Sequence, residues 1–147
     1  MTFAGQRKVD AALAIVGEDL NQDLVWEALQ MPGSGVTLIN GRRVLQGHNS
    51  LAGVGDRVAA LVIIEDGHLD ELLTSQQSNA IQAALSNANL ALVCDQSGVT
   101  GCINMNPSQR VPQTRTKSAA VEAIIGAAYL TGGVEVARRA MQVLGVI

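Results

Sequence analysis

The sequence predicts an all-α domain, on three observations. Aliphatic residues abound while aromatics are nearly absent, with one Trp (Trp26), one Tyr (Tyr129) and one Phe (Phe3). Many Ala and Leu suit helices that pack at close approach. Lys117 to Gly133 (KSAAVEAIIGAAYLTGG) sets Val121, Ile124, Ile125 and Ala128 at i, i+3, i+4 and i+7, one apolar helical stripe. Gly132 and Gly133 then supply the left-handed backbone that stops a helix. Asn49 to Ile64 (NSLAGVGDRVAALVII) repeats the pattern with Leu51, Val54, Val58, Leu61 and Val62.

At 147 residues the chain is one domain with room for a real core. No apolar run is long enough to span a bilayer, so no membrane role is expected. The first residues, MTFAGQRKVDAALAIVGEDL, lack the apolar region of a secretory signal. An intracellular location follows as the expectation, with cytoplasm, nucleus and mitochondrion all open. Cys94 and Cys102 stand eight apart with no His nearby, which reads as two free thiols in a reducing compartment rather than a zinc site. A net charge of −3 argues against a strongly basic nucleic-acid-binding module but leaves room for a local basic strip.

Val9 to Val16 opens a first helix, with Arg7 and Lys8 before it. Asp23 can cap a second, LVWEALQM, which Pro32 and Gly33 end. Leu24, Val25, Ala28 and Leu29 give it an apolar face, and Trp26 packs in the core or on a partner. Gly33 to Gly47 is turn-rich. Its Asn40-Gly41 between short apolar runs fits a β-hairpin, and an irregular loop fits as well. Glu65 to Glu71 reads as a solvated acidic turn. Ser75 or Ser78 can cap a helix carrying Ile81, Ala84 and Leu85. Asp95 to Thr116, with Gly98, Gly101, Pro107 and Pro112, reads as a long flexible loop. Arg110, Arg115 and Lys117 at its end form either a solvated basic loop or a phosphate-contacting strip. Val134 to Leu144 closes the chain as an amphipathic helix. His48 and His68 read as surface residues in turns.

Two of these stretches resemble the ribonuclease III endonuclease domain. Lys117, Glu122, Ala123, Gly126, Ala127, Tyr129, Gly132 and Gly133 fall on the family's last catalytic helix, but Ala119 stands where that pattern has an Asp. The family's signature helix reads Glu-Arg-Leu-Glu-Phe-Leu-Gly-Asp. Leu51, Gly55 and Asp56 keep it, while Asn49 and Ala52 replace its two Glu and Gly53 replaces its Phe. By spacing, Gln76 takes the place of a further acid. If the fold is that family's all-helical one, the resemblance favours a loop at Asn40-Gly41.

The resemblance implies the ribonuclease III endonuclease-domain fold, a homodimer with signature helices across its interface, and double-stranded RNA as partner. It makes Asp56 and Glu122 the catalytic and metal-ligating carboxylates for Mg2+ or Mn2+. Arg110, Arg115 and Lys117 become RNA contacts, with Asn49, Gln76 and Lys117 supporting the site. Two acids in place of four make a stable pair of ions doubtful, while one magnesium with waters remains conceivable. The same features also fit a domain that has lost catalysis and serves as an RNA-binding or assembly component, as in mitochondrial ribosomes. A helical protein-interaction domain with no RNA role is a third reading. Structural roles for the two acids also stay open, Asp56 pairing with an arginine or capping a helix and Glu122 sitting at a helix start. No double-stranded-RNA-binding module follows Leu144 in this chain, so recognition is expected to rest on duplex shape and backbone contacts.

Overall fold

The computed structural model describes residues 1–147 and contains seven α-helices. They are α1 (Phe3–Val16), α2 (Gln22–Ala28), α3 (Asn49–Leu69), α4 (Thr74–Leu85), α5 (Asn87–Ser97), α6 (Thr114–Gly132) and α7 (Val134–Leu144). A short 3-10 turn, Val99–Cys102, follows α5. The all-α expectation holds, with one small addition between α2 and α3. There β1 (Leu38–Ile39) pairs antiparallel with β2 (Arg42–Arg43), Leu38 opposite Arg43 and Ile39 opposite Arg42. Asn40 and Gly41 take positive φ, 47° and 81°, as a two-residue hairpin turn requires. The hairpin, not the irregular loop, is what forms.

Helix α6 is the centre of the molecule. It packs chiefly on α3, then on α5, α7 and α2. Val121, Ile124, Ile125 and Ala128 are fully buried, and so are Ala120, Ala123 and Ala127. The stripe legible in the sequence is therefore only part of a helix covered on most sides. Small residues make this possible, because helices approach only as near as their side chains allow. Where α3 crosses α6, a Cβ on Gly55 would overlap the Glu122 carbonyl oxygen, and one on Gly126 would lie 2.5 Å from the Leu51 carbonyl oxygen.

Several expected boundaries move. Helix α1 begins at Phe3, so Arg7 and Lys8 lie within it. Asn21, not Asp23, caps α2, its side chain accepting from the Leu24 N–H at 3.0 Å. Helix α3 runs on to Leu69, so Glu65 to Leu69 are helical rather than a turn. Arg138 of α7 accounts for the extension: it pairs with Asp66, and with Glu65 at 2.6 Å, joining the end of α3 to α7. Leu61 faces outward and is 47% exposed, departing from the expected apolar stripe. Helix α4 starts at Thr74, ahead of both serines considered as its cap.

The expected loop from Asp95 to Thr116 is mostly ordered structure. It contains the end of α5, the 3-10 turn and the start of α6, leaving residues 103–113 between. Val99, Cys102 and Ile103 are buried in the core. Gln30 and Asn104 form a parallel bridge, with Met31 N donating to Asn104 O at 3.0 Å and Asn104 N to Leu29 O at 2.8 Å. This stitches the segment to the end of α2. Both cysteines are free and buried, and burial pushes the Cys94 thiol up to about 11. A thiol so far from its thiolate is chemically quiet. His48 is not a surface residue either: it is buried before α3, its Nδ1 3.2 Å from the Ala28 carbonyl oxygen, and burial lowers its pKa. His68 is exposed, as expected, but lies inside α3.

Candidate active site

The close crossing of α3 and α6 brings two carboxylates together. Asp56 follows Gly55 on α3, and Glu122 contributes to α6 the carbonyl against which Gly55 packs. Both side chains line a cleft of about 320 Å³ together with Asn49 and Ala52 of α3, Asn87 of α5, and Arg115, Ser118 and Ala119 of α6. Asn49, Ala52 and Asp56 share a face because they sit at i, i+3 and i+7. Glu122, Ala119, Ser118 and Arg115 share one on α6 for the same reason.

Glu122 is half-buried, and its pKa is pushed up to about 7. Burial is the largest cause, followed by the neighbouring Asp56 carboxyl. The Ser118 hydroxyl and the Arg115 guanidinium pull in the opposite direction without winning. Ser118 Oγ donates to Asn87 Oδ1 at 2.8 Å and lies 3.4 Å from Glu122 Oε1. Two carboxylates held this close, one of them away from water, repel in their ionised forms and favour either a proton or a cation between them.

The other sequence candidates separate. Arg115 lines the cleft, while Arg110 is exposed in the 103–113 segment and outside it. Lys117 turns away: its ammonium lies 2.9–3.0 Å from the Asp95 carboxylate, and its side chain is only 19% exposed. Gln76 is not at the site. Its Oε1 accepts from the Leu73 N–H at 2.8 Å and closes the first turn of α4. Asn87 of α5, which sequence reading did not select, lines the cleft. Sequence reading also missed Ser118. Ser118 had a legible signal, since it stands four residues before Glu122 on one helix face. Arg57 is 81% exposed, 3.7 Å from Asp56.

The donor set fits one hard cation. Two carboxylates balance a single dication, and the carboxamide and hydroxyl oxygens of Asn49, Asn87 and Ser118 offer further ligands or water partners. It does not fit two. Ala52 and Ala119 supply no oxygen, and nowhere in the chain are three acidic, histidine or cysteine side chains placed to hold a metal ion.

No protein-family model matches the sequence, and a search of curated proteins finds no match. Solved structures do match. The nuclease domain of ribonuclease III from Campylobacter jejuni is similar in two structures. In one, described as showing structural flexibility in a region involved in dimer formation, identity is 21%, the TM-score is 0.71, and the match covers 93% of this chain and 94% of that one. In the other the values are 20%, 0.68, 94% and 92%. The chain has the fold of a ribonuclease III nuclease domain over nearly its whole length, as the two sequence motifs implied. No helix is long and apolar enough to cross a membrane.

Proposed function

We propose that this chain is a ribonuclease-III-like domain that binds double-stranded RNA and hydrolyses its backbone slowly, with one Mg2+ or Mn2+ held by Asp56 and Glu122. The observation that supports this most is the meeting of those two carboxylates at the α3–α6 crossing of a ribonuclease III nuclease fold. A bound cation supplies Lewis acidity toward a phosphoryl oxygen and makes its bound water more acidic. The chain's own groups do the rest. Asp56 and Glu122 hold the ion, and Glu122 gives up its proton to do so. Asn49, Asn87 and Ser118 orient water or phosphate oxygens. Arg57 and Arg115 at the rim offset phosphate charge. Low speed follows from the single ion, because a two-ion site stabilises both the attacking and the leaving oxygen and one ion cannot.

The domain acts as a homodimer in this reading. The outward line of α3 leaves Leu61 and Ile64 exposed, and α4 has no fully buried side chain. Gly53 gives that line no aromatic plug. A second reading draws on Ala52 and Ala119: the same fold without catalysis, an RNA-binding or assembly component. Incubating a long labelled RNA duplex with wild type and with Glu122→Gln, in magnesium and in manganese, separates the two. Slow cleavage by wild type and none by the variant is expected. Equal absence of products at saturating protein supports the second reading and ends the nuclease one.

A further inference from the structure

The β-hairpin before α3 lies outside the carboxylate cleft, yet it is fixed in place and carries an exposed arginine. Ile39 and Val44 are buried, and Asn40 Nδ2 donates to Asp23 Oδ2 at 3.1 Å. Arg42 is ion-paired with Glu27 of α2, whose side chain is 7% exposed. The turn is thereby clamped to α2. Arg43, the next residue, is exposed and has no acidic partner in any salt bridge of the fold.

Arg43 lines a second cleft of about 330 Å³, which Ser50 of the first turn of α3 also lines. Its neighbour Asn49 lines the carboxylate cleft, so the two clefts are lined by consecutive residues of the first turn of α3. Ser50 and Asp56 are six residues apart, about 9 Å along the helix axis. Charge is divided along the same helix. Arg43, Arg57 and Arg115 serve its N-terminal half, while Glu65, Asp66, Asp70 and Glu71 crowd its other end. In a chain of net charge −3, Arg57 and Arg115 line the carboxylate cleft and Arg43 lines the second one.

We infer that Arg43 is a phosphate contact for RNA that leaves the carboxylate cleft across the first turn of α3, so that the hairpin is a second arm of the RNA surface. The inference rests on the duplex-RNA reading above. A guanidinium matches phosphate geometry, and a hairpin already clamped to α2 loses little freedom on binding.

The test is binding of a fluorescent RNA duplex across a series of salt concentrations, with wild type, Arg43→Glu, Arg43→Gln and Arg139→Glu. Arg139 is exposed on α7, beside the Arg138 that pairs with Glu65 and Asp66. Its reversal makes the same charge change at the far end. Arg43→Glu is expected to weaken binding about tenfold and to flatten the logarithmic salt slope by about one, as loss of one phosphate contact does. Arg43→Gln follows with a smaller loss, and Arg139→Glu stays within about twofold of wild type. If wild type binds and Arg43→Glu matches Arg139→Glu, or weakens with an unchanged slope, the hairpin contact is wrong and the duplex reading stands. If wild type binds no duplex at any salt, the duplex reading itself falls and the hairpin contact with it.

Discussion

At the scale of single residues, Glu122 is the carboxyl whose protonation the fold alters most. The folded protein holds its proton more tightly than an unfolded chain, in which a Glu titrates near 4.5. Folding therefore takes up a proton in the window from about pH 4.5 to about 7, and the stability of cation-free protein falls as pH rises through that window. Solvent around the half-exposed carboxyl screens the effect, so the drop in melting temperature is modest. At the proposed site magnesium would compete with that same proton. Excess magnesium should raise the melting temperature at about pH 8 and leave it unchanged at about pH 5. An equal shift at both pH values would place the ion somewhere other than Glu122. Glu122 and Asp56 were legible from their motifs, and Arg115 from its position before the helix. Lys117 was not, because its direction is set by Asp95, a residue 22 positions earlier. Asn87 was missed because α5 brings it to the cleft, and no local pattern marks which asparagine a helix start will present.

At the scale of elements, the site exists because α3 and α6 touch backbone to backbone. Two glycines of α3 should respond in opposite ways. Gly55 has no room for a Cβ, so Gly55→Ala must force the helices apart and cost about 1–3 kcal/mol, as overpacking does. Gly53 meets only the Arg57 side chain, 3.9 Å away. Gly53→Ala should stabilise the protein by about 0.5–1 kcal/mol, the ordinary gain of Ala over Gly in a helix. Urea denaturation of both variants checks this, and a destabilised Gly53→Ala or a neutral Gly55→Ala would contradict the crossing. The periodicity of α3 and α6 was readable, since 3.6-residue repeats are local. The length of α3 was not. Glu65 and Asp66 look like a solvated turn until Arg138, more than 70 residues on, supplies their partner. The 3-10 turn was hidden for a similar reason: Gly98 and Gly101 signal a loop, while the burial of Val99 and Cys102 is tertiary. The hairpin needed only Asn40-Gly41, and there the local turn chemistry was the better guide than the expectation of a purely helical fold.

At the scale of the whole molecule, two acids of a weakly acidic chain meet at the α3–α6 crossing, inside a fold shared with a ribonuclease III nuclease domain at about one-fifth identity. At the helix crossing two glycines let the backbones touch, and one carboxylate from each helix lines the cleft beside them, while Ala52 and Ala119 offer no oxygen there. No group of three or more acidic, histidine or cysteine side chains is placed to hold a metal ion, and Glu65 and Asp66 are paired with Arg138, so the number of ions bound by the whole molecule should report on the Asp56–Glu122 pair. The most direct measurement is therefore a manganese titration followed by calorimetry or electron spin resonance, at a pH above 7, on wild type and Asp56→Asn. One ion per chain in wild type, and none bound with comparable affinity in the variant, is the expected result. Two ions per chain, or one that Asp56→Asn still binds unchanged, would contradict a single-cation site at the α3–α6 crossing.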